Sequence, residues 1–173
     1  MNMVVKYALA TILLTGLAPS MASARPVFPA APRTCDVLGA AYTAASSSKV
    51  PIYPVDVRPS WRSLEPGKFV PSFKAQLALK ASEFDNLVAQ ERVYRIDQFQ
   101  PRCGWSGTAS HRVDDEGHPM FTSFTSPIFS TDGRLALVEV SFQDNGRFGY
   151  GSLCIVRSTG NRWLARCLPS WIA

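Results

Sequence analysis

The sequence predicts an α+β domain: N-terminal helices packed on a C-terminal antiparallel β-meander of four to five strands, braced by disulfides. Three observations carry this. Leu135 to Phe142 is a run of strand formers, and two more such runs, Tyr150 to Ser158 and Arg162 to Ser170, follow it. Gly160-Asn161 lies between the last two and suits a tight primed turn with positive φ. The residues before about position 90 carry helical patterning instead.

Thr34 is placed to cap a helix from Cys35 to about Ser47, with Val37, Leu38, Ala41 and Tyr42 on one stripe. Ser48 to Leu64 reads as a proline-containing connection. Phe73 to Ala81 has helix-forming composition over an alternation that also permits a strand, and helix is the reading adopted. Ser82 with Asp85 resembles a capping box opening a helix through about Gln90, which buries Phe84, Leu87 and Val88. Val93 to Phe99 reads as a strand. Asp114 to Gly117 is a turn. Met120 to Phe129 is an extended run, joined to Leu135–Phe142 by the Ser130–Gly133 turn.

Pairing of the last two strands follows from their turn. With Gly160 and Asn161 as the loop, Thr159 faces Arg162, and counting back two by two puts Cys154 opposite Cys167. That site is a non-hydrogen-bonded one, where Cα atoms approach to about 4.5 Å, within a disulfide's reach. The pairing is therefore Cys154–Cys167, which leaves Cys35–Cys103 to tie the first helix to the sheet's entry strand. Loop closure suggests about 3 kcal/mol for the short link and about 4 kcal/mol for the long one. On the final hairpin, Leu153, Ile155, Leu164 and Leu168 share one face and Cys154, Val156, Trp163, Ala165 and Cys167 the other. Apolar groups on both faces imply a sheet that is curved or covered on both sides.

The first 24 residues read as a signal peptide. Lys6 gives a positive start, Tyr7 to Leu17 an apolar stretch, and Ala22-Ser23-Ala24 the small residues before a cut. Cleavage near Ala24 leaves residues 25–173 as a single domain. It removes Lys6 and no acid, taking the net charge from +5 to +4. The expected location is the periplasm or the medium, where an even count of four cysteines forms disulfides. The mature part has no apolar run approaching the ~20 residues of a membrane helix. Dispersed arginines, with no basic run and no basic–aromatic ladder, do not suggest nucleic acid as a partner.

From Phe121 onward the chain has a cadence: Ser126-Pro127, Phe129-Ser130, Asp132-Gly133, Ala136 to Val140, Gly149-Tyr150-Gly151, Gly160, Trp163 and Trp171-Ile172. It resembles the C-terminal pattern of a loose group of uncharacterised exported bacterial proteins, which brings no activity with it. A weaker likeness is to NTF2-like domains, whose last strands often read Gly-x-Trp after a long hairpin. That likeness implies a cone-shaped α+β fold with a pocket, and no chemistry.

Four candidate sites emerge, each with a plainer reading. His111 and His118 flank Asp114, Asp115 and Glu116. A hairpin turn here would bring the histidines together on adjoining strands as weak metal candidates; the plainer and preferred reading is a solvated acidic turn. No CxxC or HxxxH spacing supports a metal. Gly104-Trp105-Ser106-Gly107 approaches a nucleophile elbow, but Thr108 stands where the last glycine belongs and no helix follows. A Ser106–His111–Asp114 triad would need near neighbours along one strand to converge. The plainer reading packs Trp105 beside Cys103. Gly146, Gly149 and Gly151 evoke a phosphate loop, yet they sit between strands rather than before a helix, which favours a hairpin loop or a bulge. At that tip Arg147, Phe148 and Tyr150 have the composition of an interface anchor.

The functional expectation is an exported, non-enzymatic binding protein for an unidentified protein or envelope component, built like periplasmic immunity and inhibitor proteins and needing no cofactor. The alternative is a small NTF2-like pocket protein or hydrolase using His111, His118 and Asp114.

Overall fold

The computed structural model describes residues 31–144 and 148–173. The expected leader, residues 1–24, and the tip residues Gly146 and Arg147 lie outside them. The first helix, α1, spans Ala31–Ala45. It starts before the expected Thr34 cap, because Pro32 is acceptable in a helix's first turn and Thr34 is carried inside. It also stops short of Ser47, whose φ of 55° takes the chain out of the helical region. The predicted stripe is intact: Val37, Leu38, Ala41 and Tyr42 are all buried.

The connection that follows holds β1 (Tyr53–Pro54) and a 3-10 turn at Pro66–Lys68. The ambiguous stretch divides. A short α2, Pro71–Gln76, begins earlier than expected and ends before Leu77, which is extended and buried. Proline at the first helical position is pre-organised for a start. Next, α3 spans Ala81–Tyr94. Its reciprocal acid is Glu83, not Asp85: the Lys80 N–H donates to Glu83 Oε2 at 2.8 Å, two residues earlier than the Ser82–Asp85 box. The strand expected over Val93–Phe99 does not form. Instead α3 runs on to Tyr94, whose ring packs 5.6 Å from that of Phe129. Beyond it the chain turns through Gln98 at a φ of 54°.

The sheet follows as β2 (Ala109–Ser110), β3 (Arg112–Val113), β4 (Pro119–Phe124), β5 (Ile128–Phe129), β6 (Leu135–Gln143), β7 (Gly149–Thr159) and β8 (Arg162–Ile172). Met120–Phe129 is therefore two strands, β4 and β5, rather than one run. Among the described residues the order is β3-β4-β6-β7-β8, antiparallel throughout, with β5 also on β6; β1 pairs with β2 in parallel apart from it. The final hairpin has the predicted register, Thr159 opposite Arg162 and Cys154 opposite Cys167. Both disulfides are as expected, with Cα separations of 4.0 Å for Cys154–Cys167 and 5.6 Å for Cys35–Cys103. Cys103 sits in the loop before β2, so the long link ties α1 to that loop and not to a strand.

Helices cover both sheet faces. On one, α1 packs against Phe124, Ala136, Val138, Val140, Phe142, Cys154 and Val156. On the other, Leu64, Leu77 and Leu87 cover Leu135, Leu137, Leu153 and Ile155. Strands sandwiched in this way read as unbroken apolar runs, as β6 nearly does. Two disulfides fit a protein outside the cytoplasm. Among the described residues no helix is long and apolar enough to cross a membrane.

Candidate functional site

The β6–β7 hairpin tip is built from its first residue. The Asp144 N–H donates to Phe148 O at 3.0 Å, and its carboxylate accepts the Phe148 N–H at 2.9 Å. An aspartate at a turn's entry accepts such bonds readily. Phe148 is thereby fixed while its side chain stays 41% exposed. Its ring meets Tyr150 at 6.1 Å, and Tyr150 meets Phe142 at 5.1 Å. The Arg112 guanidinium donates through Nε to Tyr150 Oη at 2.6 Å and lies over the Tyr150 and Phe142 rings. Ile172, opposite Tyr150 on β8, is 77% exposed. Of the three predicted contact residues, then, Phe148 is presented outward and Tyr150 braces it; Arg147 is not among the described residues.

The glycines of this hairpin serve packing. A Cβ at Gly151 would collide with the Trp171 indole, and one at Gly149 would lie 3.0 Å from its Cη2. Both strip side chain from β7 so that Trp171 can lie across it. Nothing here places them at a helix N-terminus, where a phosphate loop would need them.

The acidic turn forms as expected, with Gly117 at a φ of 86° and Arg112 opposite Met120. It does not unite the histidines. His118 faces Asp114, its Nδ1 3.1 Å from Oδ2, while His111 precedes β3; both are exposed. The backbone N–H of His118 holds the Asp114 carboxyl below the usual aspartate range. Among the described residues no group of three His, Cys, Asp or Glu side chains could hold a metal. Ser106 is exposed in its loop, and the Asp114 carboxylate serves its own turn, so Ser106, His111 and Asp114 do not form a relay. Trp105 has a structural role: it stacks on Tyr53 at 5.9 Å and donates to Cys35 O at 3.1 Å. Gly107, at a φ of 129°, lets the chain pass Tyr53, which any Cβ there would crowd.

One feature escaped the sequence reading. Glu139, in the middle of β6, is only 3% exposed. Its Oε1 accepts the Trp171 indole N–H at 3.2 Å and faces Arg62 Nε at 3.3 Å. The Arg62 guanidinium lies over the rings of Trp61 and Trp171, which meet edge to face at 5.5 Å. Around it the second sheet face turns polar: Ser123 pairs with Ser141, and the Ser123, Ser126 and Ser170 hydroxyls are buried without a hydrogen-bond partner. The signal was present as a single acid inside an apolar strand. Its partners, Arg62 and Trp171, are too distant in sequence to be paired with it by spacing.

No protein-family model matches the chain, and neither a curated protein nor a solved structure does.

Proposed function

We propose that this chain is an exported, non-enzymatic binding protein that presents its β6–β7 hairpin tip to a protein or envelope partner. The observation that carries the reading is Phe148: a large aromatic side chain, 41% exposed, on a backbone tied at both ends to Asp144. Aromatic groups pre-organised in this way lose little entropy on association, and they dominate binding energy where they are found at interfaces. Exposed Ile172 extends the apolar patch on the neighbouring strand. Arg147 joins the proposal from its place in the sequence. The disulfides and two covered sheet faces supply a rigid base, the build shared by small immunity and inhibitor proteins.

Export rests on the leader composition at residues 1–24, with cleavage after Ala24 delivering the domain to the periplasm or the medium. N-terminal sequencing of the protein recovered from those fractions is expected to begin at Arg25.

The binding role is tested by comparing wild type with a Phe148→Ala/Ile172→Ala variant as baits in an envelope extract. Both positions are exposed, so the variant keeps the fold. Loss of a partner that wild type recovers is the expected result; equal recovery of every partner by both overturns the role of the tip.

A further inference from the structure

We infer a second, small-molecule site, independent of the hairpin tip: a cleft with Glu139 at its base that takes a small primary amine with an apolar body. The cleft measures about 310 Å3 and lies between the segment Arg62–Phe73 and the second sheet face. Leu64, Phe69, Phe73 and Leu153 give it apolar walls, Glu139 and Ser170 lie at its base, and two ion pairs line it as well, Arg62 with Glu139 and Lys68 with Glu65. A concave site of this size with apolar walls and convergent polar atoms is the usual form of a ligand pocket.

The polar atoms are under-used by the protein itself. The Trp171 indole N–H donates to Glu139 Oε1, and the ion-pair contact from Arg62 Nε, at 3.3 Å, falls on the same oxygen. Among the described residues none donates to Oε2. The Ser170 hydroxyl is buried and has no partner. It lies on the same side of Gly151 as the indole that donates to Glu139: a Cβ built on Gly151 would press on Trp171 Nε1 and lie 2.8 Å from Ser170 Oγ. A buried carboxylate served on one side only is costly to keep. Arg62 reaches it as an ion pair at 3.3 Å without the two-point hydrogen bonding of a guanidinium fork, from a side chain that is 39% exposed. An ammonium group has the donors that Oε2 lacks. The two cations of the lining are already paired, Arg62 with Glu139 and Lys68 with Glu65 at 2.6 Å, and an anion in the same place would face Glu139 directly. Leu64, Phe69, Phe73 and Leu153 then favour hydrocarbon for the remainder of the ligand.

The test is a titration of the oxidised protein with phenethylamine, followed by amide NMR shifts and by indole fluorescence. Phenethyl alcohol and phenylacetate serve as the neutral and anionic counterparts. Saturable shifts at Leu64, Leu153 and Ser170, with the amine at least about tenfold tighter than the alcohol and phenylacetate silent, are expected. Glu139→Gln should abolish that preference for charge. Should Glu139→Gln fail to fold, Leu64→Trp, which fills the cleft from its wall, should remove amine binding while leaving the hairpin-tip resonances in place. Equal binding of amine and phenylacetate overturns the inference. So does an unchanged response in both variants, or shifts that fall away from the cleft.

Discussion

Trp171 lies across the bare backbone of Gly151 and donates its indole N–H to Glu139 Oε1 at 3.2 Å. This contact joins the last strand to the middle of β6, and it needs three things at once. Gly151 must lack a side chain. β8 must slip by one residue, as it does where Gly151 faces Trp171 and Ser152 faces Pro169. Glu139 must turn its carboxyl toward the indole from a buried place, with Arg62 beside it. The bulge that absorbs Ser170 re-aims the indole, a common use of such irregularities.

Gly151→Ala is accordingly expected to destabilise the fold by about 1–3 kcal/mol through overpacking, and to change the fluorescence of the displaced indole. Urea denaturation followed at the tryptophan emission checks both. Wild-type stability in this variant would mean that Trp171 does not occupy the space above the glycine.

Helices on both faces make the two cores comparable. Leu38 on α1 and Leu137 on β6 are both 0% exposed and belong to opposite layers. Leu38→Ala and Leu137→Ala should each cost about 2–5 kcal/mol in chemical denaturation. A near-neutral Leu137→Ala would indicate that the second face is open to water.

Glu83 ties α3 to the sheet through a two-point contact with Arg157, at 2.6 and 3.0 Å. The Arg157 hydrogen bonds hold its carboxyl at about 2, against an ordinary value of 4.5. Because the folded value is depressed, this pair's stabilisation is complete above about pH 4.5 and is lost as the pH falls through about 2. Arg157 is 41% exposed, and solvent screening limits the contribution to about 1 kcal/mol. Glu83→Gln should lower stability at neutral pH by that amount and flatten its acid dependence between those limits. An identical pH profile in wild type and variant contradicts the pairing.

The short disulfide staples β7 to β8 beneath α1, both sulfurs lying within 3.8 Å of Ala41 O. Replacing the pair with Cys154→Ser/Cys167→Ser should cost about 2–4 kcal/mol. Thiol alkylation before and after reduction, read by peptide mass, should return Cys35–Cys103 and Cys154–Cys167. A Cys103–Cys154 peptide would contradict the hairpin register.

Local rules made much of this fold legible. The Gly160-Asn161 turn sets the register of the final hairpin, the register sets Cys154 against Cys167, and alternation sorts Leu153 and Ile155 from Cys154 and Val156. What was not legible depended on tertiary partners. Residues 93–99 have strand-like composition, yet Val93 and Tyr94 finish a helix because Tyr94 packs on Phe129. Residues 71–79 split at Leu77 because that side chain enters the second core. The candidate site divides likewise. Phe148 was readable as a hairpin-tip aromatic. The Glu139 cleft was not, since Arg62, Glu139 and Trp171 meet only once the connection from α1 has crossed the sheet.

Photo-crosslinking inside the producing cells tests the binding role most directly. A benzophenone amino acid at position 148 reports on the tip, and one at exposed Gln76 on α2 serves as control. A discrete adduct formed from position 148 and absent from position 76 is the predicted result. The same adducts from both positions, or none from position 148, would contradict the proposal that this hairpin meets a partner.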